Sequence, residues 1–216
     1  AMKIDAVVMR HPTPGAAKHL TNFIESIVIN AGDGIHEHPT QAILDMMSIY
    51  EEFGKLKDLK IGIIGDILHS RVALSNIYGL TTMGAKVTLC GPPNLIPSNI
   101  EDLGVEVNSN LDYIIEWADA LNILRIQRER MGRSLIPSVR EYRAEFGITF
   151  ERLNNHKKEI VIMHPGPINR GVEIDSSVAD SDQAIILNQV LNGVASRMAI
   201  LYLLCGGTSV HMGEES

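Results

Sequence analysis

Ile61-Gly62-Ile63-Ile64-Gly65-Asp66, then Ser70 to Met83, Gly84, and Lys86 to Cys90, is the stretch whose reading decides the fold class. The first piece is a short, wholly apolar run that ends in a turn, the pattern of a strand buried on both faces. The second has helical length and is closed by a glycine, and the third is a strand stopped by Gly91-Pro92-Pro93. Strand, helix, strand in that order is a crossover between parallel strands, and such crossovers are right-handed. Working outward, the same grammar repeats. Ile4 to Met9 and Ile27 to Ile29 are short apolar runs, with Pro14 to Phe23 between them as a short helix. Asn30-Ala31-Gly32-Asp33-Gly34 reads as a loop. His38-Pro39-Thr40-Gln41 enters a helix over 40–53, where Ile43, Leu44, Met46, Met47 and Tyr50 recur at helical spacing and Gly54 stands at the C-cap. Downstream, 111–117 is helical, 120–124 and 160–163 are strands, and 183–204 is a final helix interrupted only by Asn192-Gly193. The boundary between the two units falls between Gly54 and Lys60.

The 216 residues are 45% apolar and 21% charged, which is too much apolar surface for a disordered chain. No run approaches the roughly 18 to 20 apolar residues that a membrane span needs. The chain carries no secretory signal pattern, and its two cysteines, Cys90 and Cys205, close apolar runs. That usage argues against a disulfide framework or a cysteine zinc site and fits a reducing, cytoplasmic setting. A net charge of −7 excludes a non-specific nucleic-acid binder, yet leaves room for a cleft lined with arginines. No membrane and no nucleic-acid partner is expected.

The turn after Ile61 to Ile64 invites a dinucleotide-binding reading. The glycine fingerprint is absent, because Gly65 is followed by Asp66-Ile67-Leu68-His69-Ser70-Arg71, and the next strand ends in Cys90-Gly91 rather than an acidic residue. What the turn offers is Arg71 at a helix start, where a guanidinium beside free N–H groups suits a carboxylate or phosphate; the plain alternative is an exposed arginine. His36-Glu37-His38 could be two metal ligands, but no third ligand follows at a suitable spacing, so no metal is expected. His38 and Gln41 read instead as neutral hydrogen-bonding groups at a helix start, against simple capping by Thr40 or His38. Arg10-His11-Pro12, Leu124 to Arg130, and His164-Pro165-Gly166-Pro167-Ile168-Asn169-Arg170-Gly171 each follow a strand end. Each alone is an ordinary charged or proline-stiffened loop. Together, at the strand ends where open α/β sheets bind ligands, they describe a pocket for a small, highly anionic substrate pair.

In this order the motifs resemble the carbamoyltransferases, and among them the aspartate carbamoyltransferases. The match runs through Val8 to Pro12 with Gly15-Ala16-Ala17, Asn30 to Gly34, His38 to Gln41, Gly65-Asp66 with His69-Ser70-Arg71, Leu124 to Arg130, and His164 to Arg170. The resemblance implies an α/β fold of two doubly wound parallel-sheet domains of the carbamoyltransferase type, the first one incomplete. Residues 1–55 would be the remnant of a carbamoyl phosphate-binding domain, completed by a C-terminal helix at 181–205. Residues 56–180 would be an aspartate-binding domain. Arg10, His38 and Gln41 would be the catalytic residues and would hold carbamoyl phosphate with backbone groups at Pro165 and Gly166. Arg71, Arg125 and Gln127 would hold L-aspartate.

No cofactor and no metal is implied. The His-Pro-Gly-Pro form resembles enzymes whose trimers stand alone or join dihydroorotase-like chains, so the implied partners are a homotrimer in the full-length form and a dihydroorotase-like or regulatory chain. The pattern departs at the front, where the family's Ser-Thr-Arg-Thr helix start and its loop lysine have no counterpart here. The expectation is therefore a truncated chain with little or no activity of its own. The alternatives are a non-catalytic, partner-binding relative or, less well supported, a dinucleotide-binding module.

Overall fold

A computed structural model describes residues 4–126, 138–156 and 159–206. The order of elements is β1 (Ala6–His11), α1 (Ala16–Leu20), β2 (Ile27–Asp33), α2 (Pro39–Phe53), β3 (Lys60–Ile64), α3 (Arg71–Thr82), β4 (Lys86–Cys90), β5 (Glu106–Val107), α4 (Leu111–Trp117), β6 (Ala120–Ile123), α5 (Val139–Phe146), α6 (Phe150–His156), β7 (Val161–Met163), α7 (Ser176–Ala179) and α8 (Ile186–Leu204). β1 and β2 form a two-stranded parallel sheet, and the other five strands form a parallel sheet in the order β5-β4-β3-β6-β7. The β3–α3–β4 crossover read from sequence is its centre, with Ile61 opposite Val87 and Ile64 opposite Cys90.

Strand pleating divides the core of this sheet. Ile61, Ile63, Ala120 and Met163 point to one face, where α3 and α2 pack, while Ile64, Leu121, Ile123 and Ile162 join α4 on the other. Nearly all of these side chains are fully buried, as expected of parallel strands covered on both sides. α3 starts where the sequence provides a cap: the Ser70 hydroxyl accepts from the Ala73 N–H at 3.1 Å. α2 ends at Gly54 with φ of 68°, a left-handed cap that glycine takes without strain. α8 turns back across the molecule and packs against α2.

Several boundaries differ from the sequence reading, each for a local reason. Asn30 to Asp33 is strand rather than loop, because β1–β2 pairing continues past a register irregularity to His11 opposite Asp33. The helix at 14–23 shrinks to Ala16–Leu20, since Gly15 ahead of it has φ of 78° and gives its N–H to Asp33 Oδ2 at 2.7 Å. The last helix begins at Ile186 and runs unbroken through Asn192-Gly193. Asn192 there is a buried interhelical donor, reaching Ser48 Oγ at 3.0 Å and Glu51 Oε2 at 2.6 Å. α5, α6 and the edge strand β5 lie where the sequence reading assigned nothing. Among the described residues no helix is long and apolar enough to cross a membrane.

The C-terminal ends of β3 and β4 meet closely: the Gly65 N–H donates to the Cys90 carbonyl at 2.8 Å, and a Cβ on Gly91 would run into the Gly65 carbonyl oxygen. Gly91→Ala should therefore destabilise the chain by about 1–3 kcal/mol through overpacking against rigid backbone. Chemical denaturation measures this, and an unchanged midpoint would contradict the packing described.

Candidate active site

The site grows from α2, whose first turn carries His38 and Gln41 into the interior. His38 occupies the N-cap position without a side-chain cap, so its ring is free for other work. Its backbone N–H donates to Ser75 Oγ on α3 at 2.8 Å, and its Nδ1 lies 3.3 Å from the Thr40 hydroxyl. Burial, followed by the charges of Arg71, Arg10 and Arg197, pushes its pKa down to about 4. The ring is thus neutral at neutral pH, with the charges of Arg71 on α3, Arg10 on β1 and Arg197 on α8 near enough to disfavour its protonation. Capping, the plain alternative for His38, is not what it does.

Arg71 opens α3 and is 8% exposed. Its Nη1 reaches the Gly34 carbonyl at 3.4 Å, and its guanidinium lies flat against Gly32, where any Cβ would stand 2.7 Å from Cζ. A residue of the second unit is thereby seated on a loop of the first. That loop is shaped by Asp33, which accepts from Asn30 Nδ2 at 3.0 Å, Gly15 N–H at 2.7 Å and Glu37 N–H at 3.1 Å. Burial raises its pKa, but the bonds from Asn30, Gly15, His36 and Glu37 outweigh it and hold the carboxyl below the usual range. His36 turns to Asp33 at 3.2 Å, away from His38, so the two histidines do not converge as metal ligands would. Arg10 is exposed near the end of β1.

Gln41 is 7% exposed and gives its Nε2–H to Asp45 Oδ1 at 3.0 Å. Asp45, fully buried one turn later, accepts on the same oxygen from Gln189 Nε2 of α8 at 2.9 Å. Its Oδ2 takes Asn76 Nδ2 of α3 at 2.8 Å and Asn122 Nδ2 of β6 at 3.4 Å. Gln189 Oε1 in turn accepts the His164 backbone N–H at 2.9 Å. This is how the loop after β7 is held to α2. Within that loop the Gly166 N–H donates to His164 Nδ1 at 2.9 Å, which leaves the ring proton on Nε2, 3.3 Å from the buried Glu173. Pro165 is half-buried and Gly166 exposed.

Arg125 is half-buried just beyond β6, and β3 and β6 are neighbours with Ile64 opposite Ile123. Arg71 and Arg125 therefore come off adjacent strand ends. β7, which delivers His164 to Gly166, is the next strand along. Asn169 Nδ2 ties this last loop to the Ile126 carbonyl at 3.1 Å. Gln127 lies outside the described residues. A separate groove of about 560 Å³ between α5 and α6 is lined by Arg140, Arg143 and Arg152. There, Arg143 and Arg152 are committed to Asp175 at 2.6 Å and Asp112 at 2.9 Å.

Sequence reasoning did not find Asp45, Ser75, Asn76, Asn122, Gln189 or Arg197. A signal existed for two of them, Asp45 and Asn122. Gln41, Asp45 and Ser48 recur at helical spacing on the buried face of α2, and an interior polar stripe needs partners. Asn122 interrupts an apolar strand in the same way.

Comparisons with known proteins identify the family. Residues 57–204 match the sequence model of the aspartate/ornithine carbamoyltransferase Asp/Orn-binding domain, and residues 1–51 match the carbamoyl-P binding domain. The chain is 60% identical over 204 residues to the aspartate carbamoyltransferase catalytic subunit of Christiangramia forsetii, covering 94% of this chain and 66% of that one. It is 58% identical to the same subunit of Gemmatimonas aurantiaca, covering 96% of this chain and 65% of that one. It thus spans about two thirds of the length of these relatives. The aspartate transcarbamoylase of Trypanosoma cruzi in complex with carbamoyl phosphate superposes with a TM-score of 0.82 at 31% identity, covering 92% of this chain and 65% of that one. On sequence and fold alike, the chain belongs to the aspartate/ornithine carbamoyltransferase family.

Proposed function

We propose that this chain binds carbamoyl phosphate and L-aspartate and transfers the carbamoyl group to the aspartate amine, the reaction that gives N-carbamoyl-L-aspartate for pyrimidine synthesis. The observation that carries the reading is a buried His38 beside a buried Gln41, with the charges of Arg71, Arg10 and Arg197 close enough to keep the imidazole neutral. That arrangement suits an anion whose reacting centre is a carbonyl. The names of the relatives support aspartate as the acceptor.

In this reading residues 1–55, with the helix at 181–205, form the carbamoyl phosphate side, and residues 56–180 form the aspartate side. Arg10 pairs with the phosphate and carbonyl oxygens. A Thr40 hydroxyl donating to His38 Nδ1 leaves the proton on Nε2, from which His38 donates to the carbonyl oxygen. Gln41 and the backbone carbonyls at Pro165 and Gly166 take the carbamoyl NH2. Arg71, Arg125 and Gln127 grip the two carboxylates of aspartate. The neutral amine attacks the carbonyl carbon, forming the C–N bond. Arg10 and His38 stabilise the tetrahedral oxyanion, and the C–O bond to phosphate then breaks. The departing phosphate takes the amine proton. His38 stays a donor throughout, because an imidazole already deprotonated at neutral pH and surrounded by cations gains nothing by accepting a proton. Holding both anions side by side supplies much of the acceleration. The full-length assembly would be a homotrimer, with a dihydroorotase-like or regulatory chain as partner. A cytoplasmic setting is supported by the free thiols of Cys90 and Cys205.

A chain extended to the full length of its relatives should convert carbamoyl phosphate and aspartate to N-carbamoyl-L-aspartate and phosphate in equal amounts, while the chain as it stands turns over little or not at all; equally negligible turnover by both would overturn the reading. Arg125→Ala and Arg71→Ala should each raise the aspartate requirement by about 10- to 100-fold, the worth of one charged hydrogen-bonded contact. The carbamoyl phosphate requirement should move far less, and equal losses for both substrates would contradict the assignment. A third expectation concerns pH. The His38 ring should titrate near 4, against an ordinary value of 6.5. The unfolded chain then takes up the proton first, so the stability that His38 contributes is whole above pH 6.5 and is lost as pH falls through about 4. NMR of the ring C–H signals reads this directly, and a midpoint above 6 would contradict it.

A further inference from the structure

Asp45 has no place in the chemistry above, yet every polar group around it is turned to suit it. Four side-chain amides, from Gln41, Asn76, Asn122 and Gln189, all present N–H to its carboxylate. Two do so at a cost: Asn76 Oδ1 and Asn122 Oδ1 are buried without a hydrogen-bond partner among the described residues. A buried amide leaves its oxygen unsatisfied only where something stronger claims its N–H, and an acceptor-only carboxylate is such a group.

We infer that Asp45 is a positioning residue that sets the polarity of the carbamoyl-reading groups, and so makes the site select an NH2-bearing acyl phosphate over its methyl counterpart. This rests on the reading of Gln41 as the group that meets the carbamoyl NH2. An amide is trigonal, so holding Gln41 Nε2 against Asp45 turns Oε1 away from the carboxylate and presents it as an acceptor. Released from Asp45, the Gln41 amide flips freely, and half of its orientations offer a donor to a donor. The second arm runs through Gln189. Its Nε2 is fixed on the same Asp45 oxygen, so its Oε1 must face the His164 N–H, and that bond sets the position of the Pro165 and Gly166 carbonyls. One oxygen atom, Asp45 Oδ1, therefore orients acceptors on both sides of the carbamoyl nitrogen. A site built this way rejects a ligand lacking the N–H groups, because that ligand covers the acceptors without pairing them.

The division of labour between the two Asp45 oxygens provides the test. In Asp45→Asn, the amide oxygen can keep Gln41 and Gln189, while the new NH2 finds acceptors once the orphan oxygens of Asn76 and Asn122 turn inward. Asp45→Ala removes the acceptor altogether. The probes are two stable phosphonates of one shape, phosphonoacetamide and 2-oxopropylphosphonate, titrated calorimetrically into the unaltered chain and each variant. The unaltered chain should prefer the amide by about tenfold or more, from one or two hydrogen bonds. Asp45→Ala should lose most of that preference, and Asp45→Asn should keep it. An alanine variant that retains the preference, or an asparagine variant that loses as much as alanine, overturns the proposal. If the unaltered chain binds neither phosphonate, the carbamoyl phosphate reading itself fails, which is a distinct result.

A second measurement stands should the alanine variant not fold. In the unaltered chain the side-chain NH2 groups of Gln41 and Gln189 should exchange with solvent far more slowly than that of the exposed Asn154. Exchange at the surface rate for Gln41 would overturn the proposal.

Discussion

The buried carboxylate of Asp45, answered by four amides rather than by a cation, is the constraint on which the rest of the structure depends. Taking a carboxylate out of water costs several kcal/mol even after relaxation. Hydrogen bonds to a charged group return about 1.5–3 kcal/mol each, so only several together balance that cost. The four donors come from α2, α3, β6 and α8, that is, from three helices and a strand of the larger sheet. Burial still wins by a margin, since the carboxyl sits above its usual range despite the amides that pull it down. No single element can satisfy Asp45, so none can drift without stranding a charge.

That constraint explains how an acidic chain builds a cationic crevice. The net charge is −7, but Arg10, Arg71 and Arg197 are gathered around His38, and Arg125 leaves the strand next to the one that leads to Arg71. Like charges do not gather spontaneously; they are held by the packing of α2 against α3 and α8. Arg71 shows the tolerance, lying against Gly32 with no space for a side chain there.

Much of this was legible in the sequence. The β3–α3–β4 unit needed only an apolar run, a helix closed by glycine and a second apolar run. Arg10, Arg71, Arg125 and the His164 loop announced themselves by standing at strand ends. His38 was read as neutral from its helix position, which alone could not reveal how far burial and the charges of Arg71, Arg10 and Arg197 push its pKa down. Asp45, Asn122 and Gln189 were missed for a physical reason. Each is a polar residue in a local sequence that reads as helix or strand, and its meaning lies chiefly in partners 31 to 144 residues distant. Asn192-Gly193 misled in the opposite direction. Composition suggested a break, whereas the pair lets α8 approach α2 without one.

The central claim is that two anion sites, one gathered by α2 and the other by the ends of β3 and β6, lie side by side and act as one. The most direct measurement is the calorimetric affinity of a single molecule that joins a phosphonate to aspartate through an amide. The account predicts binding at least about a hundredfold tighter than carbamoyl phosphate or aspartate alone, because the second site is filled intramolecularly. A joined ligand that binds no better than the stronger of its halves would contradict it.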